Sequence, residues 1–105
     1  MTSMKYDYKF YIGCNDKDSK KDNSAQVLFN VQNYFLKTFG FYSMQVMHGA
    51  YTHIDNTVVT EKTCVMELVL DDKLYDLELI CATLKELCNQ ESILVTTTQV
   101  EGGLF

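Results

Sequence analysis

Residues 41–70 are rich in β-branched and aromatic side chains, and only Asp55-Asn56 interrupts them. Both of those residues tolerate the left-handed backbone conformation that a tight hairpin requires. The pattern therefore predicts two long antiparallel strands, at 42–54 and 57–70, joined by a short turn. A hairpin of this length needs other elements to cover its apolar side, and the flanking segments must supply them.

The segments before and after this hairpin each contribute one strand and one helix. Alternating side chains predict a first strand at 5–14 and a last strand at 93–100. Apolar residues at helical spacing predict a helix at 24–39, capped by Asn23 and ended by Gly40, and a second at 72–89. The order β-α-β-β-α-β is that of an α+β ferredoxin-like domain, with two helices on one face of a four-stranded antiparallel sheet.

The chain length and composition fit a single domain over residues 1–105, with 100–105 as a loose tail. The 105 residues are 47% hydrophobic and 22% charged, an ordinary globular balance. The four cysteines show no CxxC spacing and sit in apolar patterns, so we interpret them as small core residues.

The predicted hairpin is longer than the helices that would cover it. A helix of about 16 residues spans roughly 24 Å, whereas strands of 11 to 13 residues reach roughly 36–43 Å. The hairpin must therefore project as an arm. A two-residue turn at 55–56 would place Met44 and Val46 on the face away from Cys64 and Met66. We therefore predict a bulge near Gly49 that restores them to the apolar face.

The charge balance excludes several partners. The net charge of −5 argues against general nucleic-acid binding, and the absence of arginine removes bidentate recognition of phosphate. No apolar run is long enough to cross a membrane, and the first residues lack the apolar run of a secretion signal. We therefore expect a cytoplasmic protein with no membrane partner.

Three polar segments, at 14–21, 53–56 and 89–92, converge at one edge of this topology. Lysines flank the start of the first helix there, where free N–H groups favour an anion. We predict a site for a small anionic ligand, although a solvated loop whose lysines balance neighbouring aspartates remains an alternative. The predicted ligand-binding residues are Asn15, Asp16, Lys17, Lys20, Lys21, His48, Tyr51, His53, Gln90, Glu91 and Ser92.

The histidines and aromatic residues of the hairpin complete this prediction. His48 and His53 have opposite strand parity, so they cannot share a metal unless the bulge realigns them. Tyr51 and His53 share a face beside Val58 and Thr60, where they could stack on a ligand ring or pack against a second subunit. No catalytic set, phosphate-binding loop or zinc ligand pattern is present, and we predict no catalytic residue, no metal and no cofactor.

The sheet face opposite the helices is expected to expose apolar side chains, among them Met47, Val65 and Val69. Exposed patches of this kind usually mark an interface. We therefore predict a homo-oligomer.

The phrases YIGCNDKDSKK, GAYTHIDNTVV and NQESILV, in this order, resemble a family of small bacterial and phage proteins of unknown function. The resemblance covers about residues 8–97, and Asp55-Asn56 stands where Asp-Gly is expected. It implies a ferredoxin-like fold and a phage origin, and a phage-encoded protein of this kind is expected in the host cytoplasm. Small acidic phage proteins often antagonise host defence, either by sequestering nucleotide signals or by blocking an immune protein.

The leading hypothesis is a non-catalytic, oligomeric phage protein that sequesters a small anionic, nucleotide-derived signal molecule of host immunity. One alternative is a protein-binding inhibitor of a host defence protein. Another is a cofactor-independent enzyme built like the dimeric α+β barrels, with His48, Tyr11 and Glu67 as its working residues.

Overall fold

The strands and helices follow one another in the predicted order β-α-β-β-α-β. The structure is a computed structural model that describes residues 2–105. Its sheet is antiparallel with strand order β2-β3-β1-β4, which is the ferredoxin-like arrangement. The elements are β1 (Ser3–Gly13), α1 (Ser24–Phe39), β2 (Ser43–Thr52), β3 (Val58–Leu70), α2 (Leu77–Cys88) and β4 (Leu94–Gly102).

All boundaries of the helices and strands lie within two residues of the predicted ones, except the start of α2. Helix α2 starts at Leu77 rather than at 72, and in the preceding turn the N–H of Leu74 donates to the Tyr8 hydroxyl at 2.9 Å. Strand β4 continues to Gly102, which pairs with Ser3, so only residues 103–105 follow the last strand. Gly40 ends α1 as predicted, with φ of 84° and its N–H bonded to the Leu36 carbonyl.

Alternation along the two central strands places every second side chain beneath the helices. Phe10 of β1 and Phe35 of α1 meet edge to face, with ring centroids 5.3 Å apart. Burial of such side chains is the main source of stability in a domain of this size. The fully or almost fully buried residues between the sheet and the helices are Tyr8, Phe10, Ile12, Cys14, Val27, Val31, Phe35, Cys64, Met66, Leu68, Ile80, Leu84 and Cys88.

The buried thiols belong to this core, as expected. Burial raises the pKa of Cys14, and it raises the pKa values of Cys64 and Cys88 to about 12. These thiols therefore stay protonated and behave as small apolar side chains.

The register of the β2-β3 hairpin corrects the predicted bulge. Pairing runs without interruption from Met44 opposite Met66, through Gly49 opposite Glu61, to Thr52 opposite Val58. The extra residue lies instead in the turn, which has three residues between His53 and Thr57. The N–H of His53 donates to the Thr57 carbonyl at 2.7 Å, and Asn56 adopts φ of 67°. A wider turn thus puts Met44 on the apolar face without a bulge.

The outer part of this hairpin projects beyond the rest of the sheet. Strand β3 pairs with β1 only from Thr63 onward, so residues 48–52 and 58–62 form an arm that pairs with itself. The molecule measures 52 × 26 × 23 Å. The predicted arm is confirmed.

On the uncovered face of the sheet, one of the three apolar side chains predicted to be exposed is buried instead. Met47 and Val69 are 45% and 46% exposed, as predicted, but Val65 is only 6% exposed. Its cross-strand neighbours, Tyr11 and Gln45, leave little of it open to solvent. None of the helices in residues 2–105 has the length and apolar character to cross a membrane.

Candidate functional site

The arm, the polar loop (residues 15–20) and residues 90–92 surround a cleft of about 480 Å³. We call it the polar cleft. Its volume lies within the usual range for a small-molecule site. The cleft brings together most of the residues predicted to bind a ligand. It is lined by Asn15, Asp16, Lys17, Lys20, Tyr51, His53, Val59, Glu61, Gln90, Glu91 and Ser92.

Hydrogen bonds to Asp16 fix the shape of the polar loop. Its Oδ2 atom accepts the N–H groups of Asp18 at 3.0 Å and Ser19 at 2.9 Å. The N–H of Ser19 and the side-chain amide of Asn89 lower the pKa of Asp16 to about 2. Lys20 takes the left-handed conformation, with φ of 63°, and its N–H returns to the Asp16 carbonyl. The loop is therefore preformed.

The end of α2 holds this loop in place. Asn89 ends the helix in the left-handed conformation and donates its side-chain amide to Asp16 Oδ1 at 2.7 Å and Asp18 Oδ2 at 2.9 Å. Its carbonyl accepts the N–H of Lys17 at 3.1 Å. The amide of Gln90 donates to the Asn15 carbonyl at 2.6 Å. The predicted convergence of segments 14–21 and 89–92 is therefore present in the structure.

The base of the arm forms the third side of the polar cleft. Asn15 donates its N–H to Glu61 Oε2 at 3.3 Å and its side-chain amide to the Thr60 carbonyl at 3.2 Å. At Gly13, an added Cβ would lie 3.0 Å from Gln90 Oε1 and 3.1 Å from Glu61 Oε1. Only glycine lets these two side chains close over the end of β1.

Sequence reasoning missed Glu61 and Gly13. No local pattern in the sequence indicates a role for Glu61, because its partner Asn15 lies 46 positions away. Gly13 carried a usable indication, since a glycine at the end of a strand and next to a polar loop often marks a close approach of other groups.

Two of the predicted residues lie outside the polar cleft. His48 has the opposite parity to Tyr51 and lines a second cleft of about 450 Å³ on the other side of the arm, which we call the rear cleft. Lys21 lies with Asp22 and Asn23 at the start of α1. The polar cleft and the rear cleft share only Asn15 and Glu61.

The start of α1 already has an anion of its own. Asn23 makes no side-chain capping bond, contrary to prediction. Instead Asp22 Oδ1 accepts the N–H of Ser24 at 2.8 Å, and Asp22 Oδ2 lies 3.4 Å from Lys62 Nζ. The Ser24 contacts lower the pKa of Asp22, so its carboxylate stays ionised. A ligand anion at this helix end would have to displace it.

Tyr51 and His53 share one face of the arm, as predicted, but their neighbours differ. The observed register places Val59 opposite Tyr51, rather than Val58 and Thr60 beside it. The Tyr51 side chain is 54% exposed, so its ring is open to a ligand in the polar cleft.

The residues of the predicted enzyme alternative do not meet. Tyr11 and Glu67 line a groove on the uncovered sheet face, whereas His48 lines the rear cleft. Residues 2–105 contain no group of three side chains arranged to hold a metal ion.

No protein-family model matches the chain, and no curated protein matches it by sequence. Two solved structures are similar in fold. One is a phage SAM lyase in the apo state, 18% identical with a TM-score of 0.59, over 90% of this chain and 79% of that chain. The other is a phage SAM lyase in complex with S-methyl-5′-thioadenosine, 17% identical with a TM-score of 0.60, over 95% of this chain and 90% of that chain.

At these identities the similarity establishes the fold. It agrees with the ferredoxin-like fold that the resemblance to small phage proteins implied, and both neighbours are themselves phage proteins.

Proposed function

We propose that the polar cleft binds a small adenosine derivative of the SAM (S-adenosylmethionine) type, and that the protein is a phage antagonist of host defence. The observation that carries this proposal is the preformed cleft between arm and polar loop, in a fold whose solved neighbour is in complex with S-methyl-5′-thioadenosine. The proposal keeps the nucleotide-derived ligand predicted from the sequence and narrows its chemistry.

The lining of the polar cleft suits the separate parts of such a ligand. The exposed ring of Tyr51 offers a stacking surface for a purine base, a contact that is worth about 1–3 kcal/mol per base in nucleic-acid complexes. Lys17 and Lys20 would hold the carboxylate of SAM, and Glu61 and Glu91 would attract its ammonium and sulfonium groups.

The same region is poorly suited to a phosphate group. The chain has no arginine, and the start of α1, where a phosphate could bind, lies beside the polar cleft and is already occupied by Asp22. We therefore favour a phosphate-free adenosine derivative over a nucleotide. The anionic part of the ligand is then a carboxylate.

The proposed function can take two forms. The protein either binds SAM without cleaving it or binds SAM and cleaves it. S-methyl-5′-thioadenosine is SAM without its 3-amino-3-carboxypropyl group. A lyase must therefore break the bond between that group and sulfur, and the bonding electron pair passes to the sulfonium. The carbon that loses sulfur is then attacked by the oxygen of the substrate's own carboxylate, which closes a lactone, or the next carbon gives up a proton to a carboxylate base and a double bond forms. The SAM lyase neighbours favour the cleaving form. In it, Glu61 and Glu91 are the carboxylates placed to contact the substrate beside the lysines.

Inhibition of a host defence protein is supported by a different feature. Ile54, at the tip of the arm, is 98% exposed and has no apolar cover. Exposed Met47 and Val69 on the sheet likewise favour a homo-oligomer. A host defence protein at the arm tip and a second copy of this chain on the sheet face would both bind outside the polar cleft.

Calorimetry with SAM and with S-methyl-5′-thioadenosine tests the proposal. We expect both to bind, and we expect Tyr51→Ala to weaken binding by about five- to 150-fold, since one lost stacking contact is worth about 1–3 kcal/mol. His48→Ala is the matched control, because His48 lies on the opposite face of the same strand, and it should leave affinity unchanged. If neither SAM nor S-methyl-5′-thioadenosine binds, the proposal is wrong.

Mass spectrometry of the recovered ligand separates the two forms. SAM returned intact after incubation supports sequestration, whereas its conversion to S-methyl-5′-thioadenosine supports a lyase.

A further inference from the structure

The outer edge of β2 has no partner strand. In the strand order β2-β3-β1-β4, β2 pairs only with β3, so one row of its backbone N–H and C=O groups meets no other strand of residues 2–105. Natural proteins usually protect such an edge with a lysine, a proline, a bulge or a very short strand. Strand β2 has none of these, since its sequence SMQVMHGAYT is ten residues long and pairs with β3 without a bulge. The edge is therefore open to pairing with another strand.

Apolar side chains on both faces of β2 lie beside this edge. Met44 is on the helix side of the sheet, opposite Met66, whereas Met47 and Tyr51 are on the other side. These three side chains are 38%, 45% and 54% exposed. Nine of the ten residues of β2 are exposed, so no helix or loop of the described chain covers the strand. An added strand would cover part of both apolar faces at once, because side chains of neighbouring strands contact each other across a sheet.

The lack of charge on β2 indicates that a second copy of this chain supplies the added strand. Of the four strands in residues 2–105, β2 is the one without an aspartate, glutamate or lysine, although 22% of the chain is charged. Two copies, each with a net charge of −5, repel each other over most of their surfaces. In two strands related by a two-fold axis, residues near the axis lie opposite their own copies, where like charges would be destabilising. An uncharged edge meets this requirement, and it gives a charged foreign peptide nothing to attract it.

We propose that β2 pairs antiparallel with β2 of a second copy, so that the two sheets become one continuous sheet. A two-fold axis perpendicular to the sheet keeps the helices of both copies on the same side, so only residues of equal parity can lie opposite each other. Two registers overlap the strands equally well, one centred on Met47 and one on His48. The first covers an exposed methionine with its own copy, whereas the second brings two titratable imidazoles together, so the first is favoured. It also places Ser43 of the partner subunit opposite Tyr51, at the outer border of the polar cleft.

Sedimentation velocity of edge variants tests this pairing, with circular dichroism as the check on folding. We expect the unmodified protein to be a dimer at high micromolar concentration. Met47→Lys should raise the dimer dissociation constant by about a hundredfold or more, because two like charges then lie opposite each other at the axis. Thr96→Lys is the matched control, since Thr96 is exposed on the same face of β4, the other edge strand, and the dimer should persist. A monomeric unmodified protein, a Met47→Lys variant that stays dimeric, or dissociation by Thr96→Lys would overturn the proposal.

Disulfide trapping gives a second readout that tests the register itself. Met47→Cys should form a disulfide between copies on mild oxidation, since opposite residues of an antiparallel pair have Cα atoms about 4.5–5.5 Å apart, within the range for a disulfide. Val69→Cys is the control, because Val69 is equally exposed on the same face but lies on β3, and it should stay unlinked, as should the unmodified protein with its buried and half-buried cysteines. No cross-link through Met47→Cys, or a cross-link through Val69→Cys, would contradict the pairing. Neither experiment uses SAM, so the results do not depend on what the polar cleft binds.

Discussion

The two halves of the β2-β3 hairpin are built from the same strands but have different surroundings. In the inner half, Cys64, Met66 and Leu68 are buried completely beneath the helices. In the outer half, residues 48–52 and 58–62 have no third strand beside them, and their side chains line the polar and rear clefts. One continuous hairpin thus contributes to the core at one end and to the candidate site at the other.

This difference separates stability from binding along a single element. Side chains of the inner half lose solvent-exposed area on folding, and their removal leaves cavities. Side chains of the arm lose little solvent-exposed area on folding. Their replacement should therefore change what the cleft binds rather than whether the chain folds. Four experiments test this separation between the core and the candidate site, from the largest expected effect to the smallest.

Phe10→Ala should have the largest effect, because Phe10 of β1 is fully buried opposite Met66 of the inner half and packs edge to face on Phe35. We expect the free energy of unfolding to fall by about 3–5 kcal/mol, the usual cost of a Phe→Ala change in a core. Urea unfolding followed by circular dichroism, at constant protein concentration, measures it. Ile54→Ala, at the exposed arm tip, is the control and should change stability by less than about 0.5 kcal/mol.

A cost for Ile54→Ala close to that of Phe10→Ala would show that the arm is covered in solution. The two halves would then not differ in the way described.

Gly13→Ala should act on the polar cleft with a smaller effect on folding. Its Cβ would press on Gln90 Oε1 and Glu61 Oε1, the far ends of flexible side chains that can move aside. We expect SAM affinity to fall by about tenfold, or about 1.4 kcal/mol, with only a slight decrease in melting temperature. Calorimetry and thermal unfolding measure the two quantities.

Gly102→Ala is the matched control, since no atom lies within 4 Å of its added Cβ. If both glycine variants bind SAM like the unmodified protein, Glu61 and Gln90 do not shape the site.

Lys17→Ala combined with Lys20→Ala should weaken SAM binding and reduce its salt dependence. Exposed charge contacts are worth about 0.2–1 kcal/mol each, so the double change should cost about two- to thirtyfold. S-methyl-5′-thioadenosine has no carboxylate, and its affinity should stay the same. Lys21→Ala is the control, because Lys21 lies outside the polar cleft. Equal losses for both compounds would argue against the carboxylate assignment.

Acidification should loosen the polar loop with the smallest effect. The pKa of Asp16 is lowered from 3.8 to about 2, so its contribution to stability is present above the unfolded pKa. It is lost as pH falls from about 4 towards 2. Hydrogen exchange of the Asp18 and Ser19 amides should speed up over that interval, beyond the intrinsic change with pH. In Asp16→Ala these amides should be unprotected throughout, and protection retained in that variant would show that Asp16 does not hold the loop.

The element order could be predicted because the apolar alternation of β1 and the helical spacing of α1 and α2 are strong local patterns. The hairpin register could not, because it depends on whether the turn has two residues or three. Asp55-Asn56 permits both, and the choice reverses which of Val58 and Val59 faces Tyr51.

The topology was enough to predict which segments of the chain meet at the candidate site. Its details depended on side-chain contacts between distant positions, which a local pattern does not contain. Asp22 rather than Asn23 caps α1, and this choice decides that Lys21 faces a helix end already occupied by a carboxylate. Glu61 enters the site only because Asn15 bonds to it across the base of the arm.

The bonds that Asn89 makes to the polar loop affect how the ligand preference of this site could change in evolution. Its amide and carbonyl bond to Asp16, Asp18 and Lys17, and its backbone ends α2. The backbone of the polar loop is thus specified by three side chains that do not need to touch a ligand, while the side chains of Lys17 and Lys20 remain free to change. A descendant chain could alter its ligand preference by exchanging those two lysines alone, provided that Asp16, Asp18 and Asn89 are inherited together.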